Sequence, residues 1–282
     1  MNETSSAVDL SDQTKIRWDF EGELTYGDYL GLDKVLDAQR PLSDEHDEML
    51  FIVIHQAMEL WMKLSIHEIT AARAHIIANT LDPVFKMLSR VARVQGQMLQ
   101  SWEVLATMTP ADYLKFRGGL GSASGFQSHQ YRILEFMLGN KNAKLAEVHR
   151  SRPERYEQVI AALEAPSLYD ECIRLLGRRG MAIDPACIER DWRKPYRAHA
   201  SVEAAWQAVY DDVTHYWDLY DLAEKLVDLE HRFQQWRFAH LTTVERIIGS
   251  RTGTGGTTGV SYLKRALDLR FFPELWSVRT TL

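Results

Sequence analysis

Cysteine is nearly missing. Two residues in 282, Cys172 and Cys187, offer no disulfide framework, zinc finger or iron–sulfur pattern. Long apolar runs are missing too. Met49–Ile54 is the longest, six residues, against the roughly 20 a bilayer-crossing helix needs. Met1 to Lys15 is polar and holds no signal core. These absences predict a cytoplasmic protein with no membrane partner. Nor is positive charge in excess: 33 Lys and Arg against 39 Asp and Glu leave −6 with histidines neutral, which excludes a basic nucleic-acid surface. Glycine (16) and proline (8) are scarce and sit at punctuation points. No repeat and no strand-like alternation is present.

What fills the gaps is helical periodicity, with 8 Trp, 11 Tyr and 10 Phe along it. Residues 1–16 read as a mobile tail and 17–282 as a single domain. Tyr26–Leu36 reads as one short helix. Ser43 and Asp44 offer N-caps to a helix from Asp47 to about Asn79, with Phe51, His55, Met58 and Met62 on one face. Asp82-Pro83 opens another, whose stripe is Met87/Leu88, Val91, Val94, Met98, Trp102 and Leu105. Thr109-Pro110-Ala111-Asp112 is a capped helix start that runs to Gly118-Gly119. A loop at 121–125 precedes a helix over Phe126–Leu138, ended by Gly139-Asn140. Helices follow over 152–165 and 167–179, then an irregular stretch over 180–200. Ser201–Ile248 has no Gly or Pro, so it is one very long helix or two joined by a bend. A last helix falls around Ser261–Asp268. The expected fold is all-α, a bundle of long packed helices.

Four features bear on chemistry. Gly253-Thr-Gly-Gly-Thr-Thr-Gly259 lacks the Gly-Lys-Ser/Thr ending of a phosphate loop and follows a helix, not a strand. Its small residues suit close backbone approach to an anion and closure over a site. No histidine has Glu three residues before it, which disfavours carboxylate-bridged iron. Asp212/His215 and Asp228/His231 are the nearest approaches, on what reads as one polar helix face. His55, in Phe51-Ile-Val-Ile-His-Gln56, and His240, in Trp236-Arg-Phe-Ala-His-Leu241, sit among aromatics on long helices. Each alone reads most simply as a satisfied core residue. Paired across a cavity they would bracket a planar metal cofactor. Tyr113 and Arg117 share a helix face at i, i+4. They are either a surface pair or a clamp for a carboxylate, a guanidinium fork beside a phenol.

Leu24-Thr-Tyr-Gly-Asp-Tyr-Leu30, His46-Asp-Glu-Met-Leu-Phe51, His55-Gln-Ala-Met-Glu-Leu-Trp61, Ser124-Gly-Phe-Gln-Ser128, Gln130-Tyr-Arg132, Trp236-Arg-Phe-Ala-His240, Gly253-Thr-Gly-Gly256 and Phe272-Pro-Glu-Leu275 occur in order from about residue 17 onward. In these strings the chain resembles the tryptophan 2,3-dioxygenase family. The resemblance implies a helical haem pocket holding haem b, one per subunit. It implies an enzyme that inserts both atoms of O2 across the indole C2–C3 bond of L-tryptophan, giving N-formyl-L-kynurenine. It makes His240 the axial iron ligand, His55 the distal histidine near the indole N–H and Phe51 the ring packed on the indole. Tyr113 and Arg117 become the carboxylate pair, and Thr254, Ser124 and Gly125 substrate neighbours. Tyr26 and Tyr29 become tyrosines given to a neighbouring subunit of a homotetramer.

Overall fold

The computed structural model describes residues 18–256 and 259–282. The tail expected over 1–16 lies outside the described residues. The chain divides into two compact units, Met1–Arg40 and Pro41–Leu282.

In the first unit the single helix expected over Tyr26–Leu36 is two, α1 (Tyr26–Leu30) and α2 (Leu32–Leu36). Gly31 separates them in the left-handed region, at φ 61°. A residue with a Cβ resists that conformation, so the glycine that permits the turn also ends the helix. Thr25 and Asp28 close a capping box at its start.

The second unit is built on three long helices: α3 (His46–Ile77), α4 (Asp82–Leu105) and, later in the chain, a helix over Trp217–Ile248. Neither Ser43 nor Asp44 caps α3. Ser43 is drawn instead to the buried Glu48 carboxylate, which accepts from the backbone N–H groups of Leu42 and Ser43. Asn79, at φ 57°, turns the chain into α4. The stripe expected on α4 is its buried face, Leu88, Val91, Val94, Met98, Trp102 and Leu105; Met87 is half-buried. α3 is long and apolar enough to cross a membrane by length and composition alone. Here its inner residues Met58, Met62, Ile69 and Ile76 are buried, and it packs along α4.

α5 (Pro110–Arg117) starts at the expected capping box of Thr109 and Asp112. α6 is His129–Leu138, three residues shorter than expected, because Gly125–Gln127 forms a separate 3-10 turn and Ser128 takes the N-cap. α7 (Pro153–Glu164) and α8 (Leu168–Arg178) are the pair expected either side of Pro166, and a short α9 (Pro185–Ile188) interrupts the irregular stretch. The segment free of Gly and Pro is two helices, α10 (Ala200–Asp211) and α11 (Trp217–Ile248). Asp212 Oδ1 accepts from the His215 N–H in the turn between them. Asp212/His215 therefore leave the polar face they were expected to share with Asp228/His231. α12 (Val260–Leu267) is followed by a helix the sequence reading missed, α13 (Pro273–Ser277). Two buried carboxylates hold it. Glu230 of α11 accepts from the N–H groups of Phe271 and Phe272 and from Trp276 Nε1. Glu274 accepts from Tyr169, Tyr196 and the His199 N–H.

α4 packs extensively on both α3 and α11. Among the described residues α3 and α11 scarcely touch each other. α5 spans the two, touching both. Leu88, fully buried on α4, is expected to cost about 2–5 kcal/mol on truncation in Leu88→Ala. Thr109→Ala is expected to cost about 1 kcal/mol through the lost cap. Urea unfolding followed by far-UV circular dichroism measures both.

Candidate active site

The site assembles from the start of α3 upward. One turn apart on α3, Phe51 and His55 pack ring to ring, tilted by 38° with centroids 4.1 Å apart. The Phe51 carbonyl lies 2.7 Å from His55 Nδ1. A carbonyl only accepts, so Nδ1 carries the proton and Nε2 the lone pair. Burial holds the His55 pKa below its ordinary value, against the opposing pull of the Phe51 carbonyl and Glu59. A neutral imidazole therefore presents an acceptor.

α5 closes on this ring pair. Tyr113 is buried, 5.9 Å from Phe51, and Phe116 stands edge-on to both. Burial raises the Tyr113 pKa while the neighbouring Arg117 guanidinium, within hydrogen-bonding reach, pulls it back. Tyr113 and Arg117 are thus no exposed surface pair. Arg117 Nη2 donates to the Thr252 carbonyl at 2.6 Å, and Thr254 Oγ1 to the Ala123 carbonyl at 2.5 Å. The glycine-threonine loop is docked on Arg117 and on the 121–125 turn. Its fit is tight: a Cβ on Gly255 would stand 2.7 Å from Ser124 Cβ, closer than two carbons pack. Ser124 Oγ caps the 3-10 turn that begins at Gly125.

His240 sits on α11 with its ring parallel to Trp102 of α4, centroids 4.5 Å apart, and tilted against Trp236 at 5.5 Å. Burial pushes its pKa down to about 4, and the nearby His55 adds to the shift. A neutral imidazole keeps a lone pair for a metal. Two indole donors beside it, Trp102 Nε1 and Trp236 Nε1, are buried without a partner. Such orphans are costly unless a further group meets them.

The structure therefore brings together Phe51, His55, Tyr113, Arg117, Ser124, Thr254 and His240, with Gly125 adjoining. Tyr26 and Tyr29 lie in the N-terminal unit, each about three-quarters exposed. A cleft of about 470 Å³ lies elsewhere, between Asn140, Lys144, Tyr196 and Arg270. Trp102, Phe116 and Trp236 were missed as site residues. Trp102 lay on a stripe that reads as core, and only the seating of α4 against α11 turns its ring to His240.

The family model described as tryptophan 2,3-dioxygenase matches residues 11–282. The chain belongs to this family. It is 60% identical to a tryptophan 2,3-dioxygenase of Ralstonia pickettii, over 94% of this chain and 95% of the relative. Identity to the Cupriavidus necator protein of that name is 59%, over 94% and 90%. For the Bacillus cereus protein it is 57%, over 95% and 96%.

The electrostatics are open to titration. An unfolded histidine binds its proton near pH 6.5, whereas the folded His240 waits until about 4. Below about pH 6.5 the unfolded chain takes up a proton that the folded chain refuses, so His240 makes stability fall as pH drops toward 4. In the apo-protein an NMR midpoint near 4 is expected for His240. A midpoint above 6 would contradict the enclosed setting.

Proposed function

We propose that this chain is a haem-dependent tryptophan 2,3-dioxygenase. It inserts both atoms of O2 across the indole C2–C3 bond of L-tryptophan and yields N-formyl-L-kynurenine, the opening step of tryptophan breakdown by the kynurenine route. The observation that carries this reading is a pair of neutral imidazoles near each other, His55 on α3 and His240 on α11, two helices that both pack on α4. The residues fit the cofactor. His240 hydrogen-bonds to no described side chain, has an uncharged ring nitrogen that would hold the haem iron, and has unpartnered indole donors beside it. Haem b held there supplies the iron at which dioxygen is activated.

The protein groups position and enclose. His55 Nε2, an acceptor by its fixed tautomer, receives the indole N–H and so orients the ring. Phe51 packs on the indole. Arg117 and Tyr113 take the carboxylate, with the Ser124–Gly125 turn and Thr254 near the amino-acid end. Arg117 holds a neutral carbonyl, Thr252 O. A substrate carboxylate is the stronger acceptor for a guanidinium, whose five donors leave room for it beside the carbonyl. Selectivity for tryptophan over phenylalanine follows from the N–H bond, since a site built to pair that proton loses the bond with an analogue lacking it.

The proposed assembly is a homotetramer in which Tyr26 and Tyr29 reach a neighbour's site. The exposed Trp18, Leu24 and Leu36 of the same unit support a covered role for this surface. Buried free thiols at Cys172 and Cys187 suit a reducing cytoplasm.

With haem restored, aerobic L-tryptophan is expected to yield N-formylkynurenine stoichiometric with O2 consumed; a red protein with no turnover would make it a haem carrier. Arg117→Ala is expected to raise KM for tryptophan by about 10²-fold, the weight of a charge-assisted bond pair. Arg117→Lys is expected to recover part of it, and steady-state kinetics separate the cases. His55→Ala is expected to lower kcat without abolishing it. Complete loss with haem and substrate still bound would make His55 an obligatory base.

A further inference from the structure

Behind His240 lies a polar cluster that the reaction does not use. Arg237 of α11 and Glu135 of α6 form an ion pair at 2.9 Å, each side chain 3% exposed. Glu135 also accepts from Arg132 Nη1, one turn back on α6, and from the Tyr131 hydroxyl at 3.0 Å. One carboxylate therefore gathers three donors from two helices. Arg237 reaches on to the Leu269 carbonyl, and its guanidinium lies 4.7 Å over the Phe233 ring. The Tyr131 ring packs on Trp236 at 5.5 Å, and Trp236 on His240.

Residues 236 and 237 of α11 each lie about one turn before residue 240, so whatever holds those two sets the azimuth of the third. Apolar contacts alone are a weak brake on rotation, because they carry no directional preference. On a helix about 10–12 Å across with its side chains, a turn of ~20° about the axis moves a side-chain tip by about 2 Å. A metal–nitrogen bond tolerates only about 0.2 Å. Hydrogen-bonded ion pairs are directional. They are also costly to bury, and an apolar replacement often stabilises as well or better. Stability alone is thus a poor account of this cluster.

We propose that Glu135 is a positioning residue for His240: through Arg237 and Tyr131 it fixes the rotational setting of α11 and so the placement of the imidazole. This inference rests on His240 being the haem ligand.

Tyr131→Phe tests it, because the tilted ring contact with Trp236 remains while the hydroxyl on Glu135 is lost. Helical circular dichroism is expected to be unchanged. Haemin transfer to apomyoglobin is expected to run about three- to tenfold faster, the equivalent of one hydrogen bond, and the iron–histidine band in the resonance Raman spectrum of the reduced protein to broaden. The control is His240→Gly loaded with haemin and free imidazole. That imidazole is not tied to α11, so adding Tyr131→Phe is expected to change nothing. Equal acceleration in both backgrounds would reduce the cluster to general packing and overturn the proposal, as would no effect in the native background. Glu135→Gln is expected to act in the same direction and more strongly; if it fails to fold, Tyr131→Phe decides. A parent protein that takes up no haemin, or whose uptake ignores His240→Gly, would defeat the ligand assignment itself and this inference with it.

Discussion

An imidazole kept uncharged by its surroundings is the constraint on which the rest depends. His240 is half-buried, and burial together with a second histidine close by lowers its pKa to about 4, so its lone pair stays available well below neutral pH. Partial burial acts on His55 in the same direction, with a further refinement: the Phe51 carbonyl selects which nitrogen holds the hydrogen. One ring thereby keeps a lone pair that a metal can take, and the other presents Nε2 as a hydrogen-bond acceptor, the two roles proposed for them. Each role needs neutrality, and burial supplies it to both.

The architecture explains how two such rings can stand near each other without packing together. α4 lies against both α3 and α11 and keeps those two helices from closing on one another. Trp102 projects from α4 to lie parallel with the His240 ring. α5 touches both α3 and α11 and carries Tyr113 and Arg117, the pair proposed to take the carboxylate. The glycine-threonine loop then reaches Arg117 and Ser124. Gly255 has to be glycine there because its neighbour leaves no room for a Cβ.

Local rules made much of the helical scaffold legible in the sequence. The Thr109–Asp112 box and the Gly139 and Gly249 stops act over a few residues, and each stands where its pattern placed it. Failures came where distant contacts decide. The turn at 212–216 has neither glycine nor proline to announce it. α13 is five residues long and is held by Glu230 and Glu274, whose partners lie some 40 to 105 positions away. In the site, His55, His240, Tyr113 and Arg117 were visible as unusual residues at helical spacing, and the family strings supplied their roles. Trp102, Phe116 and the Glu135 cluster were not visible, because a buried aromatic or ion pair declares its partner only in three dimensions.

The central claim is that the imidazole of His240 grips the iron. The most direct measurement is haemin titration of the purified apo-chain and of His240→Ala, followed by the Soret spectrum after anaerobic reduction. The account expects one tightly held haem per chain with the spectrum of a histidine-ligated ferrous iron, and weak, non-saturating uptake by the variant with its helical content intact. Full occupancy and an unaltered spectrum in His240→Ala would contradict it.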